Sequence, residues 1–463
     1  MKNTMRRMEN ITFYDPAGIA RHLEKMAARG WMLESCSNFT WRYRRISPAK
    51  LHFAVTYFPQ ASDFDPEPSE QQRTFREFCE MAGWKHVVSW AQMQIFVNER
   101  ENPVPMETDA LVQVQTIHKA MKKNYLPSQL LLLAVSLLNA GLLIHTLITN
   151  PLYVLSSNSS LFTGSCWTLM LVLCSAEIWA YYHWYHRAKK AAEQNGEFLE
   201  TRRYRGFKWV ILILMLCALA FWLLSMADGR QRMIGIAALL YVVVLMVLVN
   251  GVKVLLKHKK VRAGINRTAT IASCFVLSFA LMGGLTYFVA RFVGSGKPEK
   301  GPAGVYEFHG QTWYLYDDPL PLTIEDMMET DSSGYSREWT ERSSVFLSQY
   351  EARQRGKLGE KHLTDLEYTI TKVKVPAIFD LCRDSLMERY ADRRGPEEFR
   401  DYYRYEPQDP ALWGANEVYR RYSGDIALDS YLVCWGEKIV EITFYWEANA
   451  GQIEIAAEKL RDV

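Results

Sequence analysis

The sequence predicts a multi-pass membrane protein with an α+β cytoplasmic domain of duplicated strand-helix-strand-strand units, a five-helix transmembrane bundle and an α+β extracytoplasmic domain. Three observations predict this fold class. Five long apolar runs lie between residues 126 and 293, basic residues are concentrated in alternate connections between them, and acidic residues are concentrated after residue 300. The predicted parts are residues 1–105 (cytoplasmic domain), 106–125 (linker helix), 126–293 (transmembrane bundle) and 301–463 (extracytoplasmic domain).

The cytoplasmic domain is predicted from two similar stretches. In the first, Asp15 and Pro16 are suited to begin a helix, and Gly30 is suited to end it. Both stretches read strand, helix, Gly-Trp, strand, strand, and the apolar stripes of the two helices favour packing on one face of an antiparallel sheet. The predicted strands are residues 11–14, 31–36, 39–44, 53–58, 84–89 and 92–98, with helices after Asp15 and at 70–82.

Trp31 and Trp84 follow the two helix-ending glycines. An exposed pair of tryptophans can stack a base or another aromatic ligand. Their equivalent places in the two stretches favour the other interpretation, in which each ring anchors the sheet below its own helix.

These residues carry a resemblance to a known family. The helix followed by KMAARGWMLES, the strand FTWRYRR and the second helix end FCEMAGWKHV resemble domain-of-unknown-function family 2812. The resemblance implies a bacterial multi-pass membrane protein, often encoded beside a PadR-type transcriptional regulator. It implies no catalytic or ligand-binding residues.

The five apolar runs predict transmembrane helices. Each has about 20 residues with almost no charge, the length that crosses about 30 Å of hydrocarbon at about 1.5 Å per residue. None shows the polar stripe that is usual for a helix in a soluble core. The predicted spans are residues 126–148, 161–182, 207–227, 233–256 and 269–293.

The charges of the connections predict the orientation. The connections after the second and fourth spans are basic, whereas residues 149–160 carry no charge. Basic loops remain in the cytoplasm, so we expect a cytoplasmic N-terminus and an extracytoplasmic C-terminal domain in the bacterial plasma membrane. No secretory signal peptide is visible between Met1 and Pro16.

The charge of the whole chain divides in the same way. Residues 301–463 contain about 31 acidic and 19 basic side chains, and the rest of the chain has a net charge of about +15. Much of this positive charge lies beside the spans, which indicates the lipid bilayer as a partner and no direct binding of nucleic acid.

Glu177 is the one acidic residue well inside a predicted span. Ionisable groups in a membrane are candidates for proton or ion coupling. Glu177 is about one and a half turns from the cytoplasmic end of its helix, where interfacial water or a neighbouring base also accounts for it.

Cys382 and Cys434 are candidates for a disulfide. Both fall in the predicted extracytoplasmic domain, where a disulfide is chemically allowed, and the sequence leaves open whether they are bonded. In that domain we predict hairpins about Gly310 and Gly436, a strand at 366–374, and helices at 376–390 and 451–460.

The sequence shows no motif of a hydrolase, a zinc protease or a P-loop, so we predict neither an enzyme nor a cofactor. The architecture favours a regulatory or sensory protein that couples an outer domain to a cytoplasmic domain, with a cytoplasmic protein or a transcriptional regulator as partner. The alternative is a transport or channel protein, or an accessory subunit of a transporter. The sequence does not indicate the signal or the oligomeric state.

Overall fold

The computed structural model describes residues 3–463 except residues 10–11, 38–39, 202–204, 227–228, 294–301, 360–362 and 390–402. The chain forms two compact units. Unit 1 contains Met1–Leu138, Trp167–Cys217 and Asp228–Val293, and unit 2 contains Asn139–Cys166, Ala218–Ala227 and Gly294–Val463. Among the described residues, five helices are long and apolar enough to cross a membrane, and they lie in the sequence between two β-sheet regions. This finding confirms the predicted α+β multi-pass membrane protein at this level.

The N-terminal domain in unit 1 consists of two segments, each with three strands and one helix. Each segment folds into an antiparallel sheet whose third strand is central, in the orders β1-β3-β2 and β4-β6-β5. The first segment contains β1 (Thr4–Arg7), α1 (Pro16–Ala28), β2 (Trp31–Cys36) and β3 (Trp41–Arg45). The second segment contains β4 (His52–Tyr57), α2 (Glu70–Met81), β5 (Lys85–Trp90) and β6 (Met93–Asn98).

The two segments share their strand register. Leu33 pairs with Tyr43, and a bulge then brings Ser35 opposite Arg42. The same step occurs in the second segment, where His86 pairs with Phe96 and Val88 with Ile95. The residue number of His86 exceeds that of Leu33 by a fixed amount, which we call the segment offset. The same offset relates Ser35 to Val88, Arg42 to Ile95, Tyr43 to Phe96, and the last residue of α1 to the last residue of α2. One shift in numbering therefore superimposes the two segments at helix end, bulge and central strand.

The helix boundaries follow the predicted signals. Asp15 accepts a hydrogen bond from the backbone N–H of Gly18 at 3.0 Å, and Pro16 occupies the first turn of α1. Gly30 and Gly83 have φ angles of 82° and 90°, the left-handed conformation that ends each helix.

The first predicted strand is wrong. Its Ile11 lies outside the described residues, and Thr12–Tyr14 are not in a strand. The strand that pairs with β3 is β1, a run of mostly polar residues, with Met5 opposite Tyr43. The aromatic residues Phe13 and Tyr14 are typical of a buried strand in the sequence. In the structure both are buried, but they lie in a turn before α1.

The helical part of the chain begins with α3 (Ala110–Lys123), later than the predicted start at residue 106. Asn124 separates α3 from the first membrane helix, so the linker is not continuous with the span. The following helices are α4 (Tyr125–Thr149), α5 (Pro151–Leu155), α6 (Asn158–Asn195), α7 (Arg205–Ser225), α8 (Gly229–His258) and α9 (Ala263–Phe288), which ends in a π-helical turn.

Helix α6 is much longer than its predicted span. Its 38 residues correspond to about 57 Å at about 1.5 Å per residue, whereas the hydrocarbon layer is about 30 Å thick. The second half of α6, with its aromatic and basic residues, therefore extends beyond the membrane core.

The C-terminal domain in unit 2 is built on an antiparallel sheet of seven strands in the order β12-β13-β14-β15-β11-β10-β9. One face packs on α11 (Ala450–Arg461), and the other packs partly on α10 (Phe379–Glu388) and α5. Its strands are β9 (Tyr335–Ser343), β10 (Leu347–Gly356), β11 (Leu366–Val373), β12 (Tyr403–Gln408), β13 (Glu417–Ser423), β14 (Ile426–Trp435) and β15 (Lys438–Phe444), and β7 (Gly304–Phe308) and β8 (Gln311–Leu315) form a separate hairpin. The hairpins about Gly310 and Gly436 and both helices agree with the prediction, whereas β9, β10, β12 and β13 are additional.

Candidate functional site

The core of the N-terminal domain continues into two helices that are not part of its sheets. One cluster of buried residues includes Leu23 and Tyr43 of the domain, Ile117 of α3, and Tyr181 and Trp184 of α6. Tyr14 joins these parts, because its ring centroid lies 5.1 Å from that of Tyr181 and 5.3 Å from that of Trp184. We call this contact the docking core. It fixes the domain to α6 through buried side chains and not only through the covalent linker.

His118 of α3 provides the polar contact of the docking core. Its Nδ1 lies 2.6 Å from the hydroxyl oxygen of Tyr181, and its ring stacks on Tyr185 with 3.9 Å between centroids. Burial lowers the pKa of His118, and the nearby charges of Lys122, His186 and Lys189 lower it further. These effects favour the neutral imidazole, which suits stacking and a hydrogen bond to a phenol.

Ion pairs join the same domain to α8 and to the connection that follows it. Lys253 Nζ lies 2.5 Å from Asp63 Oδ2, and Lys260 Nζ lies 2.6 Å from Glu67 Oε1. Lys257 Nζ donates to the backbone oxygen of Asp63 at 3.3 Å. The acidic loop between β4 and α2 thus lies against the basic end of α8.

Glu177, the intramembrane candidate, has partners for both carboxylate oxygens. Oε1 lies 2.9 Å from Lys208 Nζ of α7, and Oε2 accepts a hydrogen bond from the hydroxyl of Tyr125 at 2.9 Å. Only 14% of the Glu177 side chain is exposed. The group therefore links three membrane helices at one level, an arrangement that stabilises helix packing.

The two tryptophan candidates have different surroundings. Trp84 is 4% exposed, packs on Cys79 and Phe96, and donates from Nε1 to the backbone oxygen of Val104 at 2.9 Å. Trp31 is partly buried, and the guanidinium carbon of Arg45 lies 5.5 Å from its ring centroid. Neither pair of contacts brings the two rings together as a stacking platform.

Cys382 and Cys434 lie in one buried cluster of the C-terminal domain as free thiols. Burial raises the pKa of Cys382 to about 11 and that of Cys434 to about 12. Thiols held in this protonated form react slowly.

A cleft of about 270 Å³ lies on the polar face of the C-terminal sheet. Thr340, Glu351, Thr369 and Glu441 form one row across four strands of this face. Glu441 is 8% exposed and lies 3.4 Å from Arg389 Nη1. Arg353 and Arg389 of this lining pair with its acidic groups Glu351, Glu367 and Glu441, so the charge of the cleft selects no single class of ligand.

The docking core and the Lys208 partner of Glu177 were not predicted from the sequence. The available signal for the docking core is the run from Trp179 to His186, which is rich in aromatic and histidine side chains at the end of a span. Such a run is usual for an interfacial belt, so the sequence alone gives no reason to assign it to a domain contact.

The comparisons with known proteins bear on the N-terminal domain. Residues 15–128 match the family model described as "Protein of unknown function (DUF2812)". The match includes α3 and the start of α4, so the matched region contains part of the docking core together with most of the two segments. No curated protein and no solved structure matches the chain.

Proposed function

We propose that this multi-pass membrane protein, whose residues 15–128 are a DUF2812 domain, is a regulatory protein that couples its C-terminal domain to its N-terminal domain through the membrane helices. The observation that carries the proposal is the docking core, in which one buried cluster contains the N-terminal domain, α3 and α6. A domain whose core includes part of a membrane helix responds to any shift of that helix, because packed cores transmit strain.

The proposed topology places the N-terminal domain in the bacterial cytoplasm and the C-terminal domain outside. Five candidate spans are an odd number, so they would leave the two domains on opposite sides. The basic residues of the connections favour the cytoplasm for the N-terminal side. Within unit 2, Ser344 donates a hydrogen bond to the backbone oxygen of Leu155, which attaches the C-terminal domain to the uncharged connection between α4 and α6.

A duplication is part of the proposal. The shared bulge and the constant segment offset support an origin of the two segments from one ancestral unit. Two copies that diverged can take different tasks, one holding the fold and the other binding a partner.

The alternative function, transport, receives no support from Glu177, since Lys208 and Tyr125 engage both of its oxygens. The proposed role has no catalytic step. Its partner would be a cytoplasmic protein, with a transcriptional regulator as the class that the family resemblance favours.

The proposal is tested by gene deletion in the bacterium that encodes the protein. Transcripts that change on deletion should return to normal when the full chain is restored, and should stay changed with a chain that lacks residues 1–105. Both chains must be present in the membrane at equal amounts. If deletion leaves every transcript unchanged, the regulatory role is rejected.

A further inference from the structure

The second segment has polar residues at positions where the first segment has a hydrophobic core. The shared register and the constant segment offset define these positions. Burying a polar side chain costs free energy unless it is hydrogen-bonded, so a polar replacement of an apolar core requires a reason. The first-segment residues and their counterparts are Ile19 and Gln72, Leu23 and Arg76, Leu33 and His86, Cys36 and Ser89, and Trp41 and Gln94.

These polar side chains form a network between α2 and its sheet. Arg76 donates from Nη2 to Ser89 Oγ at 2.8 Å and from Nε to Gln94 Oε1 at 3.3 Å. Ser89 Oγ also donates to Gln94 Oε1 at 3.0 Å, and His86 Nε2 lies 2.8 Å from the same hydroxyl. Gln94 is fully buried, yet its Nε2 has no hydrogen-bond partner among the residues that the structure describes. The described residues therefore do not satisfy the whole network.

A cavity of about 210 Å³ adjoins this network within unit 1. Gln72, Arg76 and Ser89 line it together with Lys257 and the loop between β4 and α2, which contributes Asp63, Asp65 and Glu67. The side-chain amide of Gln72 makes no hydrogen bond to any residue in the described ranges, although Gln72 is only 5% exposed. Donors on two elements thus line one small space.

The charges around this cavity leave two cations without a carboxylate partner. Asp63 pairs with Lys253, and Glu67 pairs with Lys260 and Arg73. Asp65 Oδ2 accepts from the backbone N–H of Ser62 at 2.6 Å. Within the described part of the chain, no carboxylate lies within ion-pair distance of Arg76 or Lys257. Desolvation, which also lowers the pKa of Arg76, makes the missing counter-charge costly.

We propose that this cavity binds a phosphate group, with Arg76 and Lys257 supplying charge and Gln72 supplying a hydrogen bond. A guanidinium, an ammonium and an amide together match the several acceptor oxygens of a phosphate. The group can belong to a soluble phosphate compound or to a phospholipid headgroup, because Lys257 lies at the end of a membrane helix. This site does not depend on the regulatory role.

The test replaces the site by its own counterpart in the first segment. The double variant Gln72→Ile with Arg76→Leu introduces the residues that the same backbone holds at Ile19 and Leu23, so we expect it to fold. Thermal unfolding of the full chain in phospholipid-free detergent is measured against inorganic phosphate, with sodium chloride at equal ionic strength as the salt control. Lys85→Met, which changes an exposed cation of β5, is the matched control variant.

A soluble source predicts that inorganic phosphate stabilises the wild type and Lys85→Met, and that the double variant needs at least about tenfold more phosphate for the same shift. A lipid source predicts no response to inorganic phosphate, but stabilisation by added phosphatidylglycerol that the double variant loses. If neither addition stabilises the wild type, or if the double variant responds equally, the site is rejected. A double variant that fails to fold contradicts the equivalence of the two segments. The variant Arg76→Lys then tests the guanidinium. A weakened response to phosphate in this variant supports the site, and an unchanged response rejects it.

Discussion

Glu177 shows at the scale of single residues how an acid inside a candidate span is held by groups of two other helices. Lys208 and Tyr125 bind its two oxygens at 2.9 Å each, and all three groups come from different helices. Replacing the acid leaves a partly buried ammonium without its partner, and this loss costs more than removal of an exposed ion pair.

We therefore expect Glu177→Gln to destabilise the protein by about 1–3 kcal/mol, because the charged hydrogen bond to Lys208 is lost. Thermal unfolding in detergent measures the effect. Glu193→Gln is the control, since Glu193 pairs with Lys189 on the exposed surface of the same α6 and should change stability by at most about 0.5 kcal/mol. Equal melting temperatures for wild type and Glu177→Gln would show that the triad does not stabilise the helices.

His86 gives the second residue-scale prediction. Burial, with the charge of Arg76, lowers the pKa of His86 to about 4, whereas an unfolded histidine titrates near 6.5. Between these values the unfolded chain binds more protons than the folded chain, so stability is lost as the pH falls from 6.5 towards 4. His86→Leu introduces the residue that the first segment has at the equivalent position, Leu33. This variant and His86→Gln should both reduce the loss of stability per unit of pH. The melting temperature from about pH 4.5 to about pH 7.5 measures it, and an unchanged slope in both variants would show that His86 is not the titrating group.

At the scale of elements, the sequence predicts those parts in which local signals and burial agree. Asp15 and Gly30 define the ends of α1, and Gly310 and Gly436 mark turns of hairpins. Strands β9 and β10 are absent from the prediction because charged residues such as Arg337, Glu338 and Arg353 interrupt their apolar pattern. These charges lie in a sheet with a polar face, which only the tertiary structure reveals.

The docking core could not be predicted for a related reason. Tyr181 and Trp184 continue the helix of a predicted span, and aromatic residues at that level normally contact headgroups. Their burial against Tyr14 depends on a contact between residues that are far apart in the chain. The polar site of the second segment, in contrast, can be recognised in the sequence once the register of the two segments is known. Aligning the segments at the segment offset places its polar residues opposite the apolar residues of the first segment.

The attachment of the N-terminal domain to α8 gives a prediction at this scale. A chain with Asp63→Cys and Lys253→Cys should be cross-linked in native membranes by a short bismaleimide reagent, because the ion pair of the native side chains brings the two positions within reach of such a spacer, whereas a direct disulfide requires closer Cα atoms. Gel mobility with and without the reagent measures the product. The pair Glu80→Cys with Lys253→Cys and each single variant are the controls, since the native cysteines set the background. Equal cross-linking of both pairs would contradict the contact.

At the scale of the whole molecule, the proposed topology follows from five spans and the charges of their connections. Alkaline phosphatase fused after Val463 should be active, because it folds only outside the cytoplasm, where its disulfides form. The same enzyme fused after residue 105 should be inactive. Activity in the second fusion, or inactivity of a stable first fusion, would reverse the assignment.

The central claim is that the docking core carries the regulatory effect, and Trp184→Ala tests it most directly. The change opens the contact with Tyr14, whereas Trp179→Ala on the same helix removes a ring that is 61% exposed. Transcripts are compared among wild type, the gene deletion and both variants, at equal amounts of protein in the membrane. We predict that Trp184→Ala reproduces the transcript changes of the deletion and that Trp179→Ala does not. Wild-type transcripts in Trp184→Ala, combined with loss of the cross-link between positions 63 and 253, would contradict the account.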